Sequence, residues 1–267
     1  TQRNFFPSVA EVVEQSTRKF FFTATPKFSA KHERGMNNEE VYGSNLMTVS
    51  AEELLDCGAI IPPTVNVHTI ESVRTKEEVA EHDSETVLRV LDADNAERVL
   101  VSAPSARIIN AMMMFTDLYR DLRSRDYNVM TITSKHGAII NGKKTTRTKF
   151  FERLDQFSNS GEKFVLFHYS ILSEGINVSG LTNVVLLRNL STVEMAQTIG
   201  RVIRLDSVDR QKVSDGTLKP RAYHNYVKPT GYISVPVYNN YGKNTAKRVQ
   251  ATVDTIFTKG KPAASWI

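Results

Sequence analysis

The chain has 267 residues, of which 40% are hydrophobic and 24% charged, with a formal net charge of +5 and a pI of about 9.2. This composition is that of an ordinary soluble globular protein, and a mildly basic surface is compatible with a polyanionic partner. No apolar run reaches the ~20 residues of a membrane span, and no secretory signal opens the chain. The single cysteine, Cys57, excludes an intramolecular disulfide and a cysteine zinc site, so a reducing, cytoplasmic setting is expected.

Two patterns open the chain. Residues 5–15 have helical spacing. Residues 19–22 form a short apolar run that is rich in phenylalanine, and Thr23-Ala24-Thr25-Pro26 closes it. This arrangement predicts a buried strand that ends in a loop.

A short helix and a stiff connector are predicted next, after a polar, irregular stretch. Ser50 and Glu53 have the spacing of a capping box, and Gly58 is placed to end the helix that they begin. Pro62-Pro63 follows, and neither a helix nor a central strand tolerates two prolines in tandem. We therefore place a domain boundary here, between residues 1–62 and 63–267.

Beyond this boundary, apolar runs alternate with helical patterns. The predicted strands are residues 99–102, 128–133, 164–167 and 184–187. One predicted helical stripe consists of Ile108, Met112, Phe115, Tyr119 and Leu122, and residues 145–157 form a further helix. Such alternation indicates parallel strands covered on both faces, which makes the fold class a doubly wound, mostly parallel α/β sheet. Residues 231–238 are predicted as a last strand, at an edge of the sheet because they contain Pro236.

Residues 191–204 are the most informative segment. Ser191 and Glu194 have the spacing of a second capping box, which predicts a helix start. At 100° per residue, Gln197, Arg201 and Arg204 fall within about 60° of one another on that helix. The opposite side is predicted to be core and consists of Met195, Ile199 and Val202. Two guanidiniums on one rigid face suit phosphate oxygens and are able to stabilise charge on a transferred phosphoryl group.

The pattern Gln-x-x-Gly-Arg-x-x-Arg, directly after a predicted buried strand, resembles motif VI of superfamily 2 helicases. In that family the two arginines reach the γ-phosphate of an ATP molecule that the other motor domain binds. The resemblance implies that Arg201 and Arg204 act as arginine fingers, that Gln197 senses nucleotide, and that Gly200 lies at the nucleotide site.

Other segments resemble further motifs of this family, in the family order. Ser173-Glu174-Gly175-Ile176-Asn177 is similar to motif V, although Asn177 stands where aspartate is usual, and the resemblance implies nucleotide contacts from Gly175 and Asn177. The Thr-Ala-Thr of residues 23–25 is similar to motif III, which implies that Thr23 and Thr25 couple hydrolysis to movement. The remaining residues are implied nucleic-acid contacts, in motif IV, at the next strand-to-helix junction and in motif V: Ser102, Pro104, Ser105, Thr133, Ser134 and Ser170.

The resemblance therefore implies the C-terminal RecA-like motor half of an ATP-dependent helicase or translocase, with residues 1–62 as the end of a first RecA-like domain. ATP with Mg²⁺ is expected to be held mainly by that missing domain, because residues 137–143 resemble a phosphate loop but Lys144 follows where its hydroxyl belongs. Lys143, Lys144, Arg147 and Lys149 are predicted to form a solvated basic turn instead. The fragment alone is expected to be inactive. The motif VI form favours DNA over RNA as the partner, the restriction and repair branch, and a bacterial or phage source.

Two alternatives stay open. The chain is compatible with a non-catalytic RecA-like module that binds nucleic acid or protein, and the loss of charge at Asn177 favours that reading. An unrelated doubly wound nucleotide-binding enzyme is disfavoured, because no Gly-x-Gly-x-x-Gly follows a predicted strand. No metal site is expected, since the histidines show no ligand spacing.

Overall fold

A computed structural model describes residues 9, 11, 14–31, 35–71, 75, 78–169, 178, 180–238 and 242–266. Its strands are β1 (Lys27–Phe28), β2 (Pro63–Thr69), β3 (Arg98–Ser102), β4 (Asn128–Thr133), β5 (Gly137–Ile140), β6 (Lys143–Thr145), β7 (Phe164–His168), β8 (Asn183–Leu186), β9 (Gly231–Val237) and β10 (Ser265–Trp266). Its α-helices are α1 (Glu39–Tyr42), α2 (Ala51–Asp56), α3 (Val79–Ala93), α4 (Ala106–Phe115), α5 (Leu118–Ser124), α6 (Arg147–Ser160), α7 (Thr192–Val202), α8 (Ser207–Ser214) and α9 (Lys243–Val253). None of these described helices is long and apolar enough to cross a membrane.

The main sheet has eight strands in the order β2-β9-β8-β3-β7-β4-β5-β6, and β1 pairs with β10 separately. The pairings from β2 to β4 are all parallel, whereas β5 and β6 are antiparallel additions at one end. Strands that follow one another in the chain through helical crossovers occupy this parallel part, as expected of a doubly wound sheet. The fold class predicted from the sequence is thus confirmed.

Both faces of the sheet are covered by helices. In β3, Val99 and Val101 belong to a core shared with α3, α4 and α5. Leu100 between them belongs to a second core shared with α6, α7 and α9. Alternate residues of one strand therefore enter different cores, which explains why the central strands are apolar without interruption.

The strand that contains Pro236 does not lie at an edge, so that prediction is wrong. β9 lies between β2 and β8, and Pro236 is in register with His68 of β2. The pairing of β9 with β8 ends at Ser234, opposite Val185. Since β8 no longer pairs with the chain at Pro236, the missing N–H breaks no ladder on that side, and the true edge is β2, which begins at Pro63.

The predicted stripe from Ile108 to Leu122 is also wrong in part, because it is split between two helices. α4 ends at Phe115, whose side chain is 80% exposed, and α5 begins at Leu118. Thr116 Oγ1 donates to the carbonyl of Met112 and accepts from the amide of Leu118. These two side-chain hydrogen bonds take the place of main-chain hydrogen bonds that would continue the helix, so α4 ends here.

The phenylalanine run of residues 19–22 is not a buried strand. Phe20 and Phe22 are 66% and 93% exposed, and no strand of the described chain includes them. An apolar run becomes a strand only where another strand pairs with it, and here none does. Most of the predicted helix at residues 5–15 lies outside the described residues.

Residues 137–145 form a β-hairpin rather than a phosphate-binding loop. β5 and β6 pair across a turn at Asn141 and Gly142, both of which have positive φ. Lys143 and Lys144 are exposed on the edge strand. The four residues predicted to form a solvated basic turn are exposed, but they lie in β6 and at the start of α6 rather than in a turn. Charged lysines on an edge strand hinder pairing with a further strand.

Candidate functional site

The carboxyl ends of the central strands meet at one edge of the sheet. Ser102 at the end of β3 is in register with His168 at the end of β7, and with Leu186 at the end of β8. In open parallel sheets this edge is where ligands bind. Helix α7 begins six residues beyond β8, so its start lies close to this edge.

The start and the buried face of α7 are as predicted. Ser191 Oγ accepts from the amide of Glu194, and the Glu194 carboxylate accepts from the amide of Ser191. The sequence therefore sets the start of this helix locally. Met195, Ile199 and Val202 are all buried in the core beneath it.

Arg201 and Arg204 are brought together, although not on one helix as predicted. Arg201 lies in the last turn of α7 and is 6% exposed. The helix ends at Val202, and Arg204 instead forms a bridge with Ile60. Helical spacing therefore does not relate the two residues, because the chain leaves the helix between them.

The charge of Arg204 acts on the guanidinium of Arg201. Burial lowers the pKa of Arg201, and the charge of Arg204 lowers it further. Burial also lowers the pKa of Arg204, with a contribution from Arg210. Arginine side chains stay cationic, so the end of α7 holds two partly desolvated positive charges. Arg204 lies at the amino end of the sheet, since it bridges Ile60 just before the start of β2. Such a pair is suited to a polyanion.

Gln197 and Gly200 complete the predicted set on α7. Gln197 is half-buried. A methyl group placed on Gly200 meets no described atom within 4 Å. Packing within the described chain thus does not require glycine at position 200, and the space beside it is open to a ligand.

Arg188, directly after β8, is a site residue that sequence reasoning missed. Its Nη2 donates to the Tyr169 carbonyl over 2.8 Å and to Glu194 Oε1 over 3.1 Å. Its guanidinium carbon lies 5.0 Å from the centre of the Tyr169 ring. Burial raises the pKa of Glu194, but hydrogen bonds from Ser191 and Arg188 outweigh it, and the net shift is downward. Arg188 therefore ties the start of α7 to the end of β7, and the signal for it was a cation directly after an apolar run.

His168 is a packed, hydrogen-bonded histidine. Its side chain is buried, and its Nε2 lies 3.1 Å from Ser102 Oγ. Burial, followed by the charges of Arg188 and Arg201, lowers the pKa of His168 to about 3. The imidazole is therefore neutral at physiological pH.

The predicted nucleic-acid contacts lie at the carboxyl ends of β3 and β4, which β7 separates in the sheet. The prediction of a strand-to-helix junction at Thr133 and Ser134 is wrong, because β4 leads into a hairpin with β5. Ser105 Oγ accepts from the Ile108 amide and caps α4, with Pro104 just before it. Ser102 is buried and contacts His168. Thr133 is also buried and accepts from the His136 amide, whereas Ser134 is exposed.

The remaining predicted residues lie elsewhere. Thr23 is in an exposed turn, where its Oγ1 accepts from the amide of Thr25. Ser170, Gly175 and Asn177 lie outside the described residues. In the part of the chain that the structure describes, no three His, Cys, Asp or Glu side chains are grouped so as to hold a metal ion.

A family comparison agrees with this geometry. Residues 83–206, from within α3 to just beyond α7, match the model of the helicase conserved C-terminal domain. The match includes β3, β7, β8 and both arginines. The matched part of the chain is thus similar to helicase conserved C-terminal domains. No curated protein sequence matches the chain.

Solved structures are similar to this chain in fold. The ATP-dependent type ISP restriction-modification enzyme LlaBIII, in a structure bound to DNA, is 15% identical with a TM-score of 0.52. That similarity covers 92% of this chain but only 19% of the LlaBIII chain. The C-terminal domain of the DEAD-box protein Dbp5 is 15% identical over 79% of this chain and 91% of its own, with a TM-score of 0.42. A fragment of a type I restriction enzyme HsdR subunit from Vibrio vulnificus is 18% identical over 76% of this chain and 42% of its own, with a TM-score of 0.49. At these identities the similarity shows the RecA-like fold alone.

Proposed function

We propose that this chain is the C-terminal motor half of an ATP-driven helicase or translocase that acts on DNA. Residues 1–62 would then be the end of a first RecA-like domain and the linker, and residues 63–267 the second. The observation that carries the proposal is the pair of partly desolvated guanidiniums, Arg201 and Arg204, at the end of α7.

The chemistry of this pair fits ATP bound across a cleft by the other motor domain. Phosphoryl transfer places growing negative charge on phosphate oxygens, and fixed cations stabilise it without reorganising at the moment of reaction. Arg201 and Arg204 would act on that charge, and Gln197 would report the presence of nucleotide. Bound Mg²⁺ would neutralise phosphate charge, and we assign no residue of this chain to it.

The open space beside Gly200 supports close approach of a ligand or of the other domain to α7. Gly175 and Asn177 are proposed to contribute from the neighbouring loop. If packing and helix propensity alone mattered, alanine would be favoured at position 200, because glycine weakens a helix interior.

Nucleic acid is proposed to contact the junctions at the carboxyl ends of β3 and β4. Ser105 and Ser134 lie at these junctions, together with Pro104 and Thr133, and Ser102 and Ser170 are proposed to assist. Thr23 and Thr25 are proposed to couple the two motor domains. DNA is favoured over RNA by the Gln-x-x-Gly-Arg-x-x-Arg form, which resembles that of restriction and repair motors.

The test is ATP turnover by the complete protein that unites this chain with a first motor domain. Arg201→Ala and Arg204→Ala should each lower turnover by about 10³, as the loss of an arginine finger does. Arg89→Ala is the matched control, because Arg89 is an exposed arginine on α3. Turnover within tenfold of wild type in both site variants would reject the arginine-finger assignment and favour a binding module.

A further inference from the structure

Lys228 is a buried lysine that the site as described so far does not use. It lies between the 3₁₀ turn Tyr223–Asn225 and β9, and only 3% of it is exposed. Its amide donates to Asp209 Oδ2 over 2.9 Å, and the preceding amide of Val227 donates to Asp209 Oδ1 over 2.8 Å. Because Asp209 is fully buried in α8, the backbone that carries Lys228 is held firmly in place.

The ammonium of Lys228 binds the carboxyl end of α7. Lys228 Nζ donates to the Val202 carbonyl over 2.6 Å and to the Arg204 carbonyl over 2.7 Å. The last carbonyls of a helix lack partners within it and carry its negative dipole end, so a cation there is favourable. Lys228, from a distant part of the chain, thus caps the carboxyl end of α7.

Two further contacts hold the same turn. The Ile61 amide donates to the Ile203 carbonyl over 2.9 Å, so the carbonyls of residues 202, 203 and 204 all have partners. On the other side, a methyl group placed on Gly231 would lie 2.3 Å from the Val202 carbonyl oxygen. The backbone from which the Arg204 side chain projects is therefore fixed at every carbonyl.

Burying this ammonium opposes folding. Burial lowers the pKa of Lys228 to about 7, Arg98 lowers it further, and Asp206 and Asp209 raise it. Both described hydrogen bonds of Nζ go to carbonyls rather than to a carboxylate. A neutral apolar side chain would avoid this desolvation, so stability alone does not account for lysine at this position.

We infer that Lys228 is a positioning residue that sets the place of Arg204, and through the same turn that of Arg201, for action on a phosphoryl group. The inference rests on the proposed ATPase function. Lys228 itself touches neither nucleotide nor nucleic acid in this account. Its effect is on the geometry of the arginine pair, and a misplacement of about 1 Å is enough to slow such chemistry by about 10².

The experiment compares Lys228→Met with Lys212→Met in the complete protein. Methionine has a similar length but no donor, and Lys212 is an exposed lysine on α8. We expect Lys228→Met to lower kcat for ATP at least tenfold with KM within threefold, while Lys212→Met changes neither. A folded Lys228→Met variant with kcat within twofold of wild type would overturn the inference. If Lys228→Met does not fold, Lys228→Gln is measured by the same criteria, because its amide nitrogen is one bond nearer the backbone and does not reach both carbonyls.

A second readout separates this inference from the proposed function. In this chain labelled with ¹⁵N, the Nε–Hε signal of Arg204 should shift in Lys228→Met, with no change in Lys212→Met, and the signal of exposed Arg89 should stay in place. If the wild-type protein has no ATPase activity, the proposed function fails, and this spectrum still decides whether Lys228 positions Arg204. An unchanged Arg204 signal would overturn the positioning role.

Discussion

Ser102 and His168, at the ends of two neighbouring parallel strands, are joined by a hydrogen bond of 3.1 Å between Oγ and Nε2. The first strand leads into a predicted nucleic-acid junction. His168 in turn feels the charges of Arg188 and Arg201 at the proposed nucleotide corner. A buried neutral imidazole thus lies between the two halves of the site, where its protonation would add a third positive charge to the arginines.

The stability of the chain should fall on acidification because of His168. Its folded pKa of about 3 is below the unfolded value of 6.5, so the unfolded chain takes up a proton first. This contribution is complete above pH 6.5 and is lost as the pH falls from there towards 3, at about 1.4 kcal/mol for each pH unit.

The measurement is urea unfolding between pH 7 and pH 5. His168→Gln should remove this part of the pH dependence, and the exposed His224→Gln should leave it intact. Equal slopes in wild type and His168→Gln would show that His168 is not buried and neutral.

The ion pair between Arg98 and Asp206 should be worth far more than a surface pair. Arg98 Nη1 donates to Asp206 Oδ2 over 2.9 Å, and both side chains are buried. Arg98→Met leaves an uncompensated carboxylate in the interior and should lower the free energy of unfolding by about 3–5 kcal/mol.

The matched control for that pair is Arg125→Met, because Arg125 pairs with Asp92 at the surface. Its loss should change the free energy of unfolding by less than about 1 kcal/mol. Chemical denaturation of the wild type and of both variants measures these free energies of unfolding. Equal decreases in the two variants would contradict the burial of the Arg98 pair.

Gly200 and Gly231 should respond oppositely to alanine. Gly200→Ala fills open space within a helix and should stabilise the fold by up to about 1 kcal/mol, yet it should lower ATP turnover if a ligand or domain approaches there. Gly231→Ala places a methyl group against the Val202 carbonyl and should destabilise the fold. Thermal unfolding and turnover, measured on both variants, test this. A Gly200→Ala protein with full turnover would remove the functional reason for glycine.

The sequence was most informative where structure is set locally. The capping boxes at Ser50 and Ser191 and the apolar central strands depend on neighbours within a few residues, and all of them were predictable. Arg204 could not be placed, because α7 ends under the influence of Lys228, which is 24 residues further along the chain. The position of Pro236 likewise depends on where another strand stops pairing.

The same contrast between local and long-range contacts applies to the candidate site residues. Arg201 and Gln197 were found because a short motif contains them, whereas Arg188 and Lys228 belong to the site only through contacts that the fold creates. Lys228 belongs to no motif and to no periodic pattern, so the sequence gave no sign of its contacts with the end of α7. The exposed Phe20 and Phe22 were misread because burial depends on a partner strand, which a single run of sequence does not reveal.

The most direct measurement is the rate of ATP hydrolysis by the complete protein, alone and with single-stranded DNA, duplex DNA or RNA. An ATP-driven motor on DNA predicts that DNA accelerates hydrolysis at least tenfold, that RNA does so less, and that Arg204→Ala abolishes the acceleration. A folded protein whose hydrolysis no polymer accelerates would contradict the motor and leave a binding module.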